Sequence, residues 1–573
     1  MKRIALTVLF AALALPAPFL TSPARAEGAW GAYLAGRQAR YNYDFAAAAR
    51  YYAQAMAQDP TTPMILENAL VAEMALGRMD RAIAIARKME GEGLRSQLAQ
   101  MALVASDATD GDYKTILTRI EKGRGTGDLT DGILSAWAEL GRGDMDAALK
   151  RFDLVADKEG LRAFAIYHKA LALASVGDYE GANAIFSGES EGPVQRTRRS
   201  VIAWAAVLSQ MDQNNKALRV LEESFGSNPE PEILALRERL ATGEALPFEM
   251  IENATDGIAE TFYSLGRALR SEAGEDYVLL YARAAEYLKP DHVDAALFGA
   301  ELLESLDRHE LAAQAYRRVP ADHPASLRAE LGRAETLRAA GKTDATIEVL
   351  ISLTQSYPDT PAVHVALGDL YRSVERYDDA VDAYDRVIAL NERNDNPQWF
   401  IHYTRGIAYE RLGQWPKAEA DLRRALELNP GQPQVLNYLG YTLVEKQEKL
   451  DEALKMIEQA VEVRADSGYI VDSLGWVYYR LGRYDEAVPQ LERATELLPL
   501  DPVVNDHLGD AFWAVGRRTE ARFQWRRALS LIDLGNPAQD AQPDRIRRKL
   551  EFGLDAVLKQ EGAAPLEVAD GEN

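Results

Sequence analysis

Few residues in this chain have the types and spacing that covalent chemistry needs. Gly188-Glu189-Ser190-Glu191-Gly192 has the G-x-S-x-G spelling of a nucleophile elbow. That motif works only on a sharp turn between a strand and a helix, whereas here it follows a helical pattern and runs into Pro193. Gly123-Arg124-Gly125-Thr126-Gly127 resembles a phosphate loop, but no strand precedes it and no Lys-Ser/Thr follows, so it reads as an inter-helix turn. Asp107, Asp110 and Asp112 miss the spacing of a calcium loop. The seven histidines never form H-x-x-x-H or H-E-x-x-H, and His507 between Asp506 and Asp510 reads as a packed or solvated side chain. Cysteine is absent, which removes thiol catalysis, Cys-ligated zinc, iron–sulfur clusters and disulfides. The expectation is a protein that is not an enzyme and carries no cofactor and no metal.

Charge narrows the partners. The 88 acids against 65 bases give −23 over 573 residues, which opposes sequence-independent binding to DNA or RNA and to an anionic membrane leaflet. At the N-terminus, Lys2 and Arg3 precede an apolar run from Ile4 to Leu15, broken by Pro16 and Pro18 and followed by Ala24-Arg25-Ala26. This is the pattern of a signal peptide over residues 1–26, too short in its apolar part to span a bilayer. No later segment is apolar for long enough to be transmembrane. The expected compartment is the bacterial periplasm.

The elements that would position a binding surface emerge from self-comparison. In the unit marked by Gly475, Tyr478, Gly482, Tyr484, Ala487, Leu491, Ala494 and Pro499, six positions recur thirty-four residues on, as Gly509, Phe512, Gly516, Ala521, Trp525 and Ala528. Going backwards, the first small position recurs at Gly440, Gly406, Gly368, Ala334, Ala300 and Gly266, then at Ala205, Ala170, Ala136, Val104, Leu70 and Gly36. Each unit holds two helices with apolar positions at helical spacing; a mid-unit Gly closes the first and a terminal Pro stops the second. One pair cannot bury its apolar face, so neighbours must stack into an all-α solenoid of about 14 helix-turn-helix repeats. The array reads as an N-terminal block over 27–228, a joint over 229–262 framed by Asn228-Pro229-Glu230-Pro231 and Pro247, and a C-terminal block over 263–531. Residues 532–560 read as a linker and a capping helix (Asp544 to Gln560), and 561–573 as a loose tail.

These residues resemble the tetratricopeptide repeat, over roughly 30 to 531. The stretch from Gln398 to Leu529 is also similar to envelope repeat proteins that include lipoprotein adaptors of a periplasmic C-terminal-processing serine protease. The lipobox Cys of those members is missing here. In the repeat family the first helix of each pair lines a groove. Register then implies a groove built from Tyr403, Asn437, Tyr441, Asp472, Trp476, Tyr479, Arg480, Asp506, Asp510 and Trp513, with Glu410, Arg411, Asp369 and Arg372 towards one end. Rings beside Asn, Asp and Arg suit a polypeptide ligand. The resemblance implies a scaffold or adaptor in cell-envelope maintenance, with a processing protease or cell-wall hydrolases as partners. The alternative is a structural spacer that self-associates without a dedicated groove.

Overall fold

A computed structural model describes residues 29–226, 229–532 and 541–563. The segment read as a signal peptide, most of the linker and most of the C-terminal tail lie outside the described residues. Among those described there are 31 α-helices and no strand. They run in pairs: α1 (Ala29–Tyr41) with α2 (Phe45–Gln58), α3 (Pro63–Ala75) with α4 (Met79–Gly91), and α5 (Gln97–Thr109) with α6 (Tyr113–Glu121). Next come α7 (Asp128–Gly141) with α8 (Met145–Ala156), α9 (Arg162–Ser175) with α10 (Tyr179–Phe186), and α11 (Arg198–Gln210) with α12 (Asn214–Phe225). A single helix, α13 (Pro231–Ala241), interrupts the pairing. It resumes with α14 (Ala254–Leu269) and α15 (Glu275–Leu288), α16 (Val293–Ser305) and α17 (His309–Tyr316), α18 (Ser326–Ala339) and α19 (Thr343–Ser356). The rest are α20 (Pro361–Ser373) with α21 (Tyr377–Arg393), α22 (Trp399–Arg411) with α23 (Trp415–Leu428), and α24 (Pro433–Glu445) with α25 (Leu450–Val463). The last are α26 (Gly468–Arg480) with α27 (Tyr484–Leu497), α28 (Pro502–Ala514) with α29 (Arg518–Leu531), and α30 (Pro543–Phe552) with α31 (Leu554–Gln560).

All fourteen anchors fall in the first helix of a pair, and at the glycines among them the reason is steric. A Cβ on Gly475 would stand 2.5 Å from Leu491 Cγ, and one on Gly509 would stand 2.5 Å from Trp525 Cδ1. A large side chain sixteen residues later therefore lies directly over the small one and brings the two helices together. Seven residues after the anchor the chain turns in the left-handed region. Gly482 (φ 74) and Gly516 (φ 82) suit that turn, whereas Asp212, Asp307, Glu375 and Gln447 adopt the same conformation at φ 56 to 60. Each of these four gives up roughly 1 kcal/mol to hold the repeat register.

Compact packing divides the chain inside α19, into Met1–Val349 and Leu350–Asn573. The break at 229–262 read as a joint lies within the first unit. There α13 is followed by a non-helical run to Asn253, and α14 then packs on α7, α5 and α9, while α15 packs on α3 and α5. Gly257 makes the approach possible, since a Cβ there would stand 2.2 Å from Trp137 Cδ2. Helix α15 is buried over most of its circumference, from Val278 through Ala285 to Leu288, and Arg283 Nε donates to the Ala75 carbonyl at 3.2 Å. The first unit thus fills its own interior with its own helices.

Within the second unit, the single capping helix expected over Asp544–Gln560 is two helices. The chain bends at Gly553 (φ 84), and Ile546, Leu554 and Val557 are buried on either side of the bend.

Candidate functional site

In the second unit, α24, α26 and α28 present their faces side by side and enclose, with the start of α30, a groove of about 1030 Å³. Six of the ten residues placed by register line it: Asn437, Tyr441, Asp472, Trp476, Arg480 and Asp506. Glu410 and Arg411 also line it, joined by Tyr438, Glu445, Tyr469, His507 and Arg545. The volume reaches the upper end of what ordinary ligand clefts offer, and the lining is mixed aromatic and polar.

Each polar side chain has a physical reason for its place. Trp476 is 8% exposed and wedged among three repeats. Its ring lies parallel to those of His507, 3.9 Å away, and Tyr479, 4.8 Å away, and its Nε1 donates to Glu445 Oε1 at 2.7 Å. Arg480 reaches the same Glu445 oxygen at 3.4 Å. His507 Nδ1 bonds Asp472 Oδ2 at 3.0 Å. Burial alone would lower the His507 pKa, but Asp472, with Asp506 and Asp510 behind it, outweighs burial and raises it above the ordinary histidine value. When protonated, the imidazole on the indole face adds cation–π attraction to the stack. Asn437 Oδ1, by contrast, is buried with no hydrogen-bond partner among the described residues, an arrangement that is costly unless another group supplies a donor.

The other four residues placed by register do not line the groove. Tyr403 packs between Trp399 and Tyr438, with ring centroids 6.2 and 5.9 Å apart. Tyr479 is buried against Trp476. Asp510 accepts from Trp525 Nε1 at 2.8 Å. Trp513, 7% exposed, donates through Nε1 to Asp555 Oδ2 at 2.9 Å beneath α31. The C-terminal helices account for much of this. Lys549, fully buried, places Nζ 2.8 Å from Asp506 Oδ2 and 2.7 Å from Asp510. Burial pushes the Asp506 carboxyl upward and Lys549 opposes it, with a net rise. Register could not show this neutralisation, because α30 stands outside the repeat. The available signal was Lys549 itself, three residues after Ile546 on the apolar face of its helix.

Gly553 is the hinge of that cover. A Cβ there would stand 2.6 Å from Trp513 Cζ2 on a left-handed backbone. Gly553→Ala is expected to loosen α30 and α31 by about 1–3 kcal/mol, read as faster amide hydrogen exchange in Ile546–Val557. Unchanged exchange there would show that the bend does not need glycine.

The motifs weighed for chemistry have local structural roles. Ser190 sits in an exposed turn after α10, and Glu191 beside it pairs with Lys169 at 2.5 Å. The Gly123–Gly127 loop folds its backbone N–H groups around the chain's own Asp131, with Thr126 N at 2.7 Å and Gly127 N at 3.2 Å from Oδ1. Asp107 pairs with Arg119 at 2.6 Å, and Asp112 caps α6. His168 is buried between Trp137 Nε1 and Ser264 Oγ, each at 3.2 Å, and burial pushes it down to about 4. Among the described residues, no group of three or more His, Asp or Glu is arranged to hold a metal, and no helix is long and apolar enough to cross a membrane.

Paired helices on a 34-residue register, with a groove along the first helices, define a helical-repeat solenoid. A tetratricopeptide-repeat family model matches residues 33–93, and the model of the Cilia and flagella-associated protein 70 C-terminal domain matches 291–545. The TPR repeat-containing protein PA4667 of Pseudomonas aeruginosa is 27% identical over 158 residues, 27% of this chain and 26% of that one. The Lipoprotein NlpI homolog of Haemophilus influenzae is 37% identical over 102 residues, 17% of this chain and 31% of that one. The chain therefore spans only about a quarter to a third of these curated relatives. Among solved structures, MamA aligns at 22% identity with a TM-score of 0.27, over 29% of this chain and 94% of that one. The Cut9–Hcn1 hetero-tetramer aligns at 14% identity with a TM-score of 0.37, over 92% and 97%. The fold is that of a tetratricopeptide-repeat solenoid.

Proposed function

We propose that this protein is a non-catalytic, exported scaffold of the bacterial cell envelope that holds a partner polypeptide in the groove of its second unit. One observation carries the reading. Asn437 brings a buried carbonyl oxygen, unbonded among the described residues, to a groove that also presents Tyr438, Tyr441 and Arg480. A peptide N–H would satisfy that oxygen, and the rings would supply apolar contact along the chain. The signal-peptide pattern at residues 1–26 supports export, and the likeness to a lipoprotein supports an envelope role. A processing protease and cell-wall hydrolases are the partners this reading favours.

The test is a crosslinked pull-down from envelope extract with the exported chain, beside the triple variant Asn437→Ala, Tyr441→Ala, Arg480→Ala. These positions are preferred to the two tryptophans, whose rings hold the fold. A protease or wall hydrolase enriched by the parent and reduced tenfold or more by the variant is the expected result. Equal recovery by both proteins would move binding away from the groove.

A further inference from the structure

The groove does not account for the outer face of α29. Arg518, Arg522 and Arg526 stand there at i, i+4 and i+8, all exposed, beside Phe523 at 61% exposure. Neighbouring basic residues on the same helix are engaged: Arg517 pairs with Glu492 at 3.0 Å and with Glu520, and Arg527 donates to the Pro499 carbonyl at 3.0 Å. The guanidinium groups of Arg518, Arg522 and Arg526 make no ion pair or hydrogen bond among the described residues. In a chain with 88 acids and 65 bases that is unusual placement. Like charges one helical turn apart repel, and no ion pair within the fold offsets that cost. The second helices of other pairs in this unit look different. Helix α27 exposes Asp485, Glu486 and Glu496, and α21 exposes Asp378, Asp382 and Asp385.

Two of the three guanidinium groups are held in place from below. Arg518 lies 5.1 Å and Arg522 5.6 Å from the Trp513 ring centroid. That ring is itself fixed by Asp555 through Nε1. Cation–π contact orders the long side chains before any partner arrives, which lowers the entropic cost of engaging them. Their guanidinium forks remain open to bidentate carboxylates.

We propose that this arginine face docks an acidic segment of a partner protein, with carboxylates one helical turn apart and an apolar side chain against Phe523. Successive arginines are about 6 Å apart along the axis, the repeat of Glu or Asp at i, i+4 and i+8 on a facing helix. A bilayer fits less well, because Phe523 alone offers little to insert and the chain's −23 opposes approach to anionic lipid. A second copy is disfavoured by the same repulsion. A short acidic segment meets only the local charge, since fields decay over about 8 Å at physiological salt. The face is separate from the groove, whose lining includes no residue of α29.

The test uses the full exported chain and a synthetic helical peptide with Glu at i, i+4 and i+8, its Gln counterpart, and phosphatidylglycerol vesicles. The Glu peptide is expected to bind at 20 mM salt and to weaken at 200 mM, with the Gln peptide at least tenfold weaker. The triple variant Arg518→Glu, Arg522→Glu, Arg526→Glu should lose the binding with an unchanged melting temperature. If reversal itself lowers melting, the neutral triple Arg→Gln variant carries the comparison. No binding, equal affinity for the two peptides, binding that survives the triple variant, or binding to vesicles only would each overturn the proposal. So would sedimentation of the parent as a dimer that the variant abolishes.

Discussion

Lys549→Met is expected to lower the stability of the C-terminal cap by about 3–5 kcal/mol, because it takes the nearest countercharge from buried Asp510 and half-buried Asp506 and leaves Asp510 only Arg545, at 3.6 Å. Asp506 and Asp510 sit 2.7 to 2.9 Å from Nζ, and neither Lys549 nor Asp510 reaches water. The lysine is also 5.8 Å from the Trp525 ring, so its loss removes packing beside the anchor of the last repeat. Chemical unfolding followed by tryptophan fluorescence would report the change, since Trp513 and Trp525 both lie in this region. Adding Asp506→Asn and Asp510→Asn to Lys549→Met should recover much of the loss. That recovery separates removal of a countercharge from a simple packing defect. A loss under about 1 kcal/mol in the single variant would mean that water reaches the acid pair.

The second large effect belongs to the first unit. Glu260 is almost fully buried and takes two bonds from Arg199, at 3.1 and 2.5 Å, and one from Tyr167 Oη at 2.8 Å. Arg199 continues to Asp294 at 2.7 Å. Burial alone would raise both carboxyls. Arg199 outweighs it, holding Glu260 well below the usual carboxylate range and bringing Asp294 down to about 2. Glu260→Gln would leave Arg199 with Asp294 alone in a buried setting, at an expected loss of about 3–5 kcal/mol. The sign of the acid dependence follows. A depressed carboxylate supplies stability that is complete above its unfolded pKa, near 4 for these residues, and disappears as pH falls through its folded value. The first unit should therefore lose melting temperature progressively from about pH 5 to pH 2, and Glu260→Gln should flatten that limb. A variant as steep as the parent would place the acid sensitivity elsewhere.

The repeat was legible in the sequence because its cause is local. Each glycine anchor has a larger partner about sixteen residues on, within a single helix pair, so the steric requirement repeats with the register. Half of the groove was legible for the same reason: Asp472, Trp476 and Arg480 share one helix face whatever the neighbours do. Asp506, Asp510 and Trp513 share the corresponding face of α28, but their surroundings come from α30 and α31, and no spacing connects those helices to the array. The interior of the first unit was hidden in a similar way. Nothing in the pattern around Gly257 says that Trp137, 120 residues earlier, will lie against it. The break at 229–262 was visible as missing register. Its consequence, the return of α14 onto α7, is a tertiary preference that periodicity does not encode.

That return changes what kind of folding reaction the first unit can have. An array in which each repeat touches only its neighbours can nucleate anywhere and fray from its ends. Here Arg283 bonds the carbonyl of Ala75 across 208 residues of chain, and α15 lies against α3 and α5. A closure of that length must be made before the buried face of α15 contributes anything, and such long-range pairing slows folding. Helices α3 to α15 should then gain and lose their structure in one concerted step, whereas a mutant freed of the α15 contacts should melt gradually from its termini.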